Sequence, residues 1–288
     1  MNGTQLIPLD AVIQTNFSLF DTPNAIFFFS GNNAVYDCFR HDKITGGEQF
    51  VQNMGGRFRD FNYTTNGVRT FLVSLEYGVI IYEVIDGKQP QLVELVENKE
   101  NPLYFMNSPP SKRVSFGLGL CSDFLVVFGG EGCGLDRSIY FYSLSMNMWF
   151  QQEPDFSTPE WRYNLQMVTF DNTLYILGGQ VYDRQIEEVD SFTILNYKDI
   201  IQSLIDQEGY IDFKLGEFQR ESMNILVKSN VVFRGSHLAV ISNNRIIEFD
   251  ERWIIDCIFE GEIEGRLFSG LENNLFCWNG EKLLEIRI

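Results

Sequence analysis

The apolar positions of the chain fall in short runs that stop at glycines or small polar residues. Two runs set the pattern: Phe124-Leu-Val-Val-Phe before Gly129-Gly130, and Leu174-Tyr-Ile-Leu before Gly178-Gly179, 49 residues further on. Each reads as a buried strand ended by a glycine pair. Ahead of the first stand Ser108-Pro-Pro-Ser-Lys-Arg113 and Gly117-Leu-Gly-Leu; ahead of the second stand Thr158-Pro-Glu-Trp-Arg162 and Met167-Val-Thr-Phe. Both units thus run from a proline-bearing loop to an Arg, a strand, a turn (Ser122-Asp123, Asp171-Asn172) and the glycine-ended strand. In the first unit a third strand follows at Ser138–Leu144 with Tyr142, and a fourth at Met148–Phe150 with Trp149.

A glycine pair at a strand end permits left-handed backbone and close approach of a neighbouring chain. The Tyr and Trp supply bulk for the wedge between one sheet and the next. The combination resembles the kelch repeat, specifically over residues 108–197 and by period over the whole chain. The resemblance implies a β-propeller in which Gly129, Gly130, Tyr142, Trp149, Gly178, Gly179 and Trp253 serve the repeat.

Weaker echoes continue the period. Phe27–Gly31 with Ala34–Cys38, Phe71–Tyr77 with Gly78–Val84, Leu238–Asn244 with Ile246–Trp253, and Leu275–Gly280 with Leu283–Ile286 each read as second and third strands. Asn243-Asn244 stands where a glycine pair is expected, and Asn tolerates left-handed backbone best after Gly. Six units of about 48 residues account for the 288. The expected fold is all-β: a six-bladed kelch-type β-propeller, four antiparallel strands per blade, with blades near 15–56, 57–107, 108–157, 158–218, 219–261, and 262–288 plus 4–14. The N-terminal run Gln5–Ile13 is the spare strand that closes the ring, Leu6–Ile13 lying beside Lys282–Ile288, with Pro8 tolerated on an outer edge. One stretch departs from the pattern: Ile200, Ile201, Leu204 and Ile205 are spaced as on a short amphipathic helix within 198–207, a decoration of the fourth unit or a docking helix.

Composition narrows the function. Lys+Arg 22 against Asp+Glu 39 leaves a net charge of −17, which repels nucleic acid and anionic membranes. No apolar run has spanning length, and the N-terminus lacks the basic and apolar regions of a secretory signal. Five widely spaced cysteines without a CxxC pair argue against zinc and a disulfide framework, which with the missing signal points to the cytoplasm. Three matches to the glycosylation pattern, at Asn2, Asn16 and Asn62, are read as chance.

Catalytic spacing is absent. His41 and His237 fall in different units, so no metal or other cofactor is expected. No nucleophile elbow or phosphate loop accompanies the glycines. Some kelch propellers are copper oxidases, epimerases or lyase-like enzymes, so a small-molecule enzyme with an axial pocket is the alternative class. The favoured class is a non-catalytic protein-interaction scaffold, or a subunit of a larger cytoplasmic complex. The resemblance implies that the loops between second and third strands and between blades share one face. There the chain places Arg57, Arg59, Arg113, Arg137, Trp161, Arg162, Tyr182, Arg184, Arg245 and Arg266, a candidate groove for a protein partner such as an acidic peptide. A competing role for Arg113, Arg162 and Arg266 is to hold neighbouring backbone.

Overall fold

In the computed structural model the described residues are 3–7, 18–32, 35–56, 58, 60–66, 68–100, 108–170, 173–186, 189–194, 216–221, 230–234, 237–242, 245–249, 255–258, 266–269, 274–278 and 283–287; from residue 194 onward the description is of backbone alone. Among them the secondary structure is strand and turn, with no helix. The strands form six four-stranded antiparallel sheets and a two-stranded ribbon.

Each of the first five sheets is built from four consecutive strands. The first sheet takes Ser18–Asp21, Ala25–Asn32, Val35–Asp42 and Glu48–Asn53, and the second Phe61–Thr65, Thr70–Ser74, Ile80–Ile85 and Gln91–Glu94. The third takes Gly117–Cys121, Phe124–Phe128, Ile139–Ser143 and Met148–Gln152. The fourth takes Gln166–Phe170, Thr173–Leu177, Val189–Ile194 and Gly216–Glu221, and the fifth Asn230–Arg234, His237–Ser242, Arg245–Phe249 and Ile255–Ile258. The sixth has only three strands of its own, Arg266–Ser269, Asn274–Trp278 and Leu283–Arg287, and Gly3–Ile7 supplies the fourth.

That last pairing is antiparallel, with Gly3 opposite Arg287 and Ile7 opposite Leu283. The described ladder takes in Leu6 and Ile7 of the expected strand and begins earlier, at Gly3. Pro8 and 9–13 lie outside the described residues. The strand Gly216–Glu221 straddles the 218/219 boundary expected between the fourth and fifth units. The expected helix at 198–207, and Trp253, also lie outside the described residues.

Sheets pack face to face through alternating side chains. In Phe124–Phe128, Phe124, Val126 and Phe128 point to one core and Leu125 and Val127 to another, the period-two consequence of the pleat. The first core joins the third sheet to Leu174, Ile176 and Phe192 of the fourth. The second joins it to Phe71, Val73 and Ile81 of the second sheet, and encloses Tyr142 and Trp149, whose rings lie 5.2 Å apart. A third core sets Phe20, Phe27 and Phe29 of the first sheet against Phe58 and Leu72. Each fully buried apolar side chain of this kind contributes about 1.5–3 kcal/mol, so three continuous inter-sheet cores dominate the stability of this half of the molecule.

First strands also neighbour one another. Gly117–Cys121 lies beside Phe61–Thr65 and Gln166–Phe170, and Arg266–Ser269 lies beside both Asn230–Arg234 and Ser18–Asp21. Thus the sixth sheet adjoins the first, bringing the two ends of the chain together.

Candidate functional site

Two buried arginines organise the loop end of the third and fourth sheets. Arg113 donates from Nε to the Ser111 carbonyl (3.0 Å), from Nη1 to the Gly129 carbonyl (3.0 Å) and from Nη2 to Asp136 Oδ2 (2.9 Å). Arg162 repeats this one unit later, reaching the Glu160 carbonyl (3.4 Å), the Gly178 carbonyl (3.2 Å) and Asp190 Oδ2 (2.5 Å). Both guanidinium side chains are 0 % exposed. Each satisfies a carbonyl left over where the second strand ends, and each has a carboxylate that compensates its buried charge. Around Asp136 the cluster closes further: Tyr140 donates its hydroxyl to the carboxylate at 2.7 Å, and the Arg113 guanidinium carbon lies 4.9 Å from the Tyr140 ring centroid.

The backbone around them repeats as well. Two residues after Arg113 and Arg162 come Ser115 and Asn164, with φ of 53° and 54°. Val114 pairs with Glu131, and Tyr163 with Gln180, as isolated antiparallel bridges. Gly130 N donates to the Arg162 carbonyl at 2.9 Å, and a Cβ on Gly129 would stand 2.2 Å from that oxygen. The glycine pair thus lets the fourth unit's entry segment lie directly on the third. In the second sheet Asp60 has the same left-handed backbone (φ 41°) and accepts from Ser115 N at 3.2 Å, but two residues before it stands Phe58 rather than an arginine. Phe58 fills that place with its ring, stacked on Phe61 at 4.9 Å.

Three loops meet above this framework. Arg137, between the second and third strands of the third sheet, donates to the carbonyls of Asp155, Thr158 and Pro159, which tethers its loop to the segment leading into the fourth sheet. Trp161 in that segment donates Nε1 to the Gly130 carbonyl at 2.9 Å and packs with Val181 and Ile186. Its ring lies 5.7 Å from Tyr163 and 6.1 Å from Tyr182. The ribbon Gln180–Val181 with Arg184–Gln185 completes the group, and Arg184 forms an ion pair with Glu160. In these loops Tyr182 is 65 %, Leu135 60 % and Phe156 101 % exposed, while Trp161 is buried.

The residues expected at a partner site therefore divide. Arg113 and Arg162 are sealed inside the fold and have no guanidinium to offer a partner, because backbone carbonyls and Asp136 or Asp190 consume it. Trp161 is buried too, as a platform rather than an anchor. Arg137 is half-buried and spent on carbonyls, and Arg184 faces Glu160. Tyr182 is exposed. Arg57 and Arg59 lie outside the described residues; Arg245 and Arg266 begin strands of the fifth and sixth sheets, and only their backbone is described. Sequence reasoning passed over Leu135 and Phe156, apolar residues in loops otherwise rich in Pro, Gly, Ser and acids, and it passed over Asp136 and Asp190, which precede the serines of the two third strands.

His41 is buried, with Nδ1 3.8 Å from Glu48 Oε1. Among the described residues no group of three or more His, Cys, Asp and Glu side chains could hold a metal ion. Asn62 points its amide to the Phe116 carbonyl across the second and third sheets. No protein-family model matches the chain, and no curated protein matches its sequence.

Proposed function

We propose that the chain is a six-bladed β-propeller of the kelch type, and that it works as a non-catalytic protein-binding scaffold through its loop face. Six four-stranded sheets, the adjoining first strands, and an N-terminal strand that completes the sixth sheet support the closed ring. The glycine pairs, the Tyr142–Trp149 contact and the repeated Arg–carboxylate clamps support the kelch assignment. Cytoplasmic residence belongs to the same reading, and the free thiols of Cys38, Cys121 and Cys133 are in keeping with it.

The observation that carries the binding role is the convergence of three loops that expose Leu135, Phe156 and Tyr182, with Tyr182 set against the buried Trp161. Large apolar tips held on a fixed frame lose little entropy on docking, which is what an interface anchor needs. The test is a photo-crosslinking side chain placed at 156 or 182 and, for comparison, at 44 or 68. Ile44 and Val68 are equally exposed but sit on hairpins at the opposite end of the sheets. Partner adducts form at 156 and 182 on this account. Adducts confined to 44 and 68, or formed at none of the four, contradict it.

A further inference from the structure

Over the described loops of the third and fourth sheets, the charge left once internal pairs are made is negative. Arg113, Arg162 and Arg137 are committed inside the fold. Across the segments 108–116, 130–137, 153–165 and 180–186 the exposed cations are Lys112 and Arg184, and Arg184 is already paired with Glu160. Against them stand four exposed carboxylates, Glu131, Glu153, Glu160 and Asp183. Glu131 and Asp183 enter no ion pair among the described residues. The negative field continues toward the second sheet: partial burial first, and then the charges of Glu76 and Glu131, push the Asp60 carboxyl above its ordinary range.

The same three loops expose Leu135, Phe156 and Tyr182, so they carry apolar side chains along with the carboxylates. From this juxtaposition we infer that the face docks a protein segment carrying Lys or Arg side chains beside apolar ones, not the acidic peptide expected from the count of loop arginines. The inference rests on the docking role of the loop face and adds the chemistry of its partner. Basic side chains gain from Glu131, Glu153 and Asp183, the three carboxylates outside the Arg184–Glu160 pair, while an acidic segment meets like charge and finds no uncommitted guanidinium among the described side chains. The protein's net charge of −17 steers the same class of partner toward it over longer range.

A display library of short random peptides, selected on the full chain, tests this. Enriched peptides are then measured against Glu131→Lys/Asp183→Lys, against Phe156→Ala, and against Glu94→Lys/Glu100→Lys, which makes the same change in net charge at exposed positions away from these loops. Enrichment of basic, apolar peptides that lose about tenfold in affinity with each face variant, weaken with added salt, and tolerate the remote variant supports the inference. Enrichment of acidic peptides sensitive to the same face variants overturns the partner's charge while leaving the docking face intact. Peptides that respond equally to face and remote charge changes, or no enrichment at all, overturn both. Melting curves of each variant confirm that the fold is kept.

Discussion

Arg162 Nη2 meets Asp190 Oδ2 at 2.5 Å with both side chains sealed from water, and one repeat earlier the equally buried Arg113 meets a partly exposed Asp136 at 2.9 Å. These pairs sit where a strand end, a loop and the next sheet's entry segment come together. A buried pair of this kind contributes little net stability relative to a well-packed apolar pair, but losing one partner leaves a bare charge inside the protein. The clamps therefore act as registers that hold the loops in one arrangement.

Replacing Arg162 by Met should destabilise the chain by about 3–5 kcal/mol, because Asp190 stays buried without its partner. Arg162→Met with Asp190→Leu should recover part of that loss. Arg184→Ala, which removes an exposed pair with Glu160, should change stability by no more than about 1 kcal/mol. Urea melts of the three variants beside the unaltered protein decide it; equal losses for Arg162 and Arg184 would show that the clamp is ornamental.

Gly129 and Gly134 both have left-handed backbone, φ 67° and 72°, yet only Gly129 has a neighbour where a Cβ would go. Alanine at Gly134 should cost about 1–2 kcal/mol, the backbone penalty alone. Alanine at Gly129 should cost clearly more, since the Arg162 carbonyl blocks the methyl group at 2.2 Å. Thermal unfolding of the two variants separates the terms, and matching melting temperatures would contradict the close approach of the third and fourth units.

Three ionisations, one acidic and two alkaline, should frame the stability profile. Burial pushes the Asp136 carboxyl up, but hydrogen bonds from Tyr140, Ser138 and Arg113 outweigh it and hold it below its ordinary range. Its contribution is present above the unfolded value of about 4 and lost as pH falls through the lower folded value. At the other end burial, helped by the Asp136 hydrogen bond, raises Tyr140 to about 12, and burial with the Glu97 charge raises Tyr142 to about 12. Both phenols resist ionisation in the fold, so stability is full below pH of about 10 and lost as pH climbs toward 12. Denaturant midpoints across pH report both limbs. Tyr140→Phe should flatten part of the alkaline limb, and an unchanged profile would sink this assignment.

The fold was readable where local chemistry repeats. Gly129-Gly130 and Gly178-Gly179 mark strand ends because only glycine fits under a neighbour's backbone there, and unbroken apolar runs such as Phe124–Phe128 mark strands buried on both faces. The start of the N-terminal strand was set too late because the apolar run begins at Leu6, while the ladder already includes Gly3, Thr4 and Gln5. The site was less legible. An arginine's sequence neighbourhood does not say whether its guanidinium faces water, and Arg113 and Arg162 turn inward because carbonyls and carboxylates distant in sequence await them. Phe58 in the place of those arginines hides the second unit's copy of the motif.

The proposed ring depends on the N-terminal strand completing the sixth sheet, for only a closed ring would give six sheets a common face on which loops converge. Gln5 lies opposite Glu285 and Leu6 opposite Leu284. Facing residues of an antiparallel pair bring their Cβ atoms to roughly 4.5–5.5 Å, nearest in non-hydrogen-bonded pairs, so one of these two pairs is suited to a disulfide. Cysteines introduced at 5 and 285, or at 6 and 284, should form that bond under mild oxidation of the native protein, identified by peptide mapping, and the bonded form should melt higher than its reduced counterpart. Failure of both pairs to link in the folded chain, or a bonded form that melts lower in each case, would contradict the closed ring.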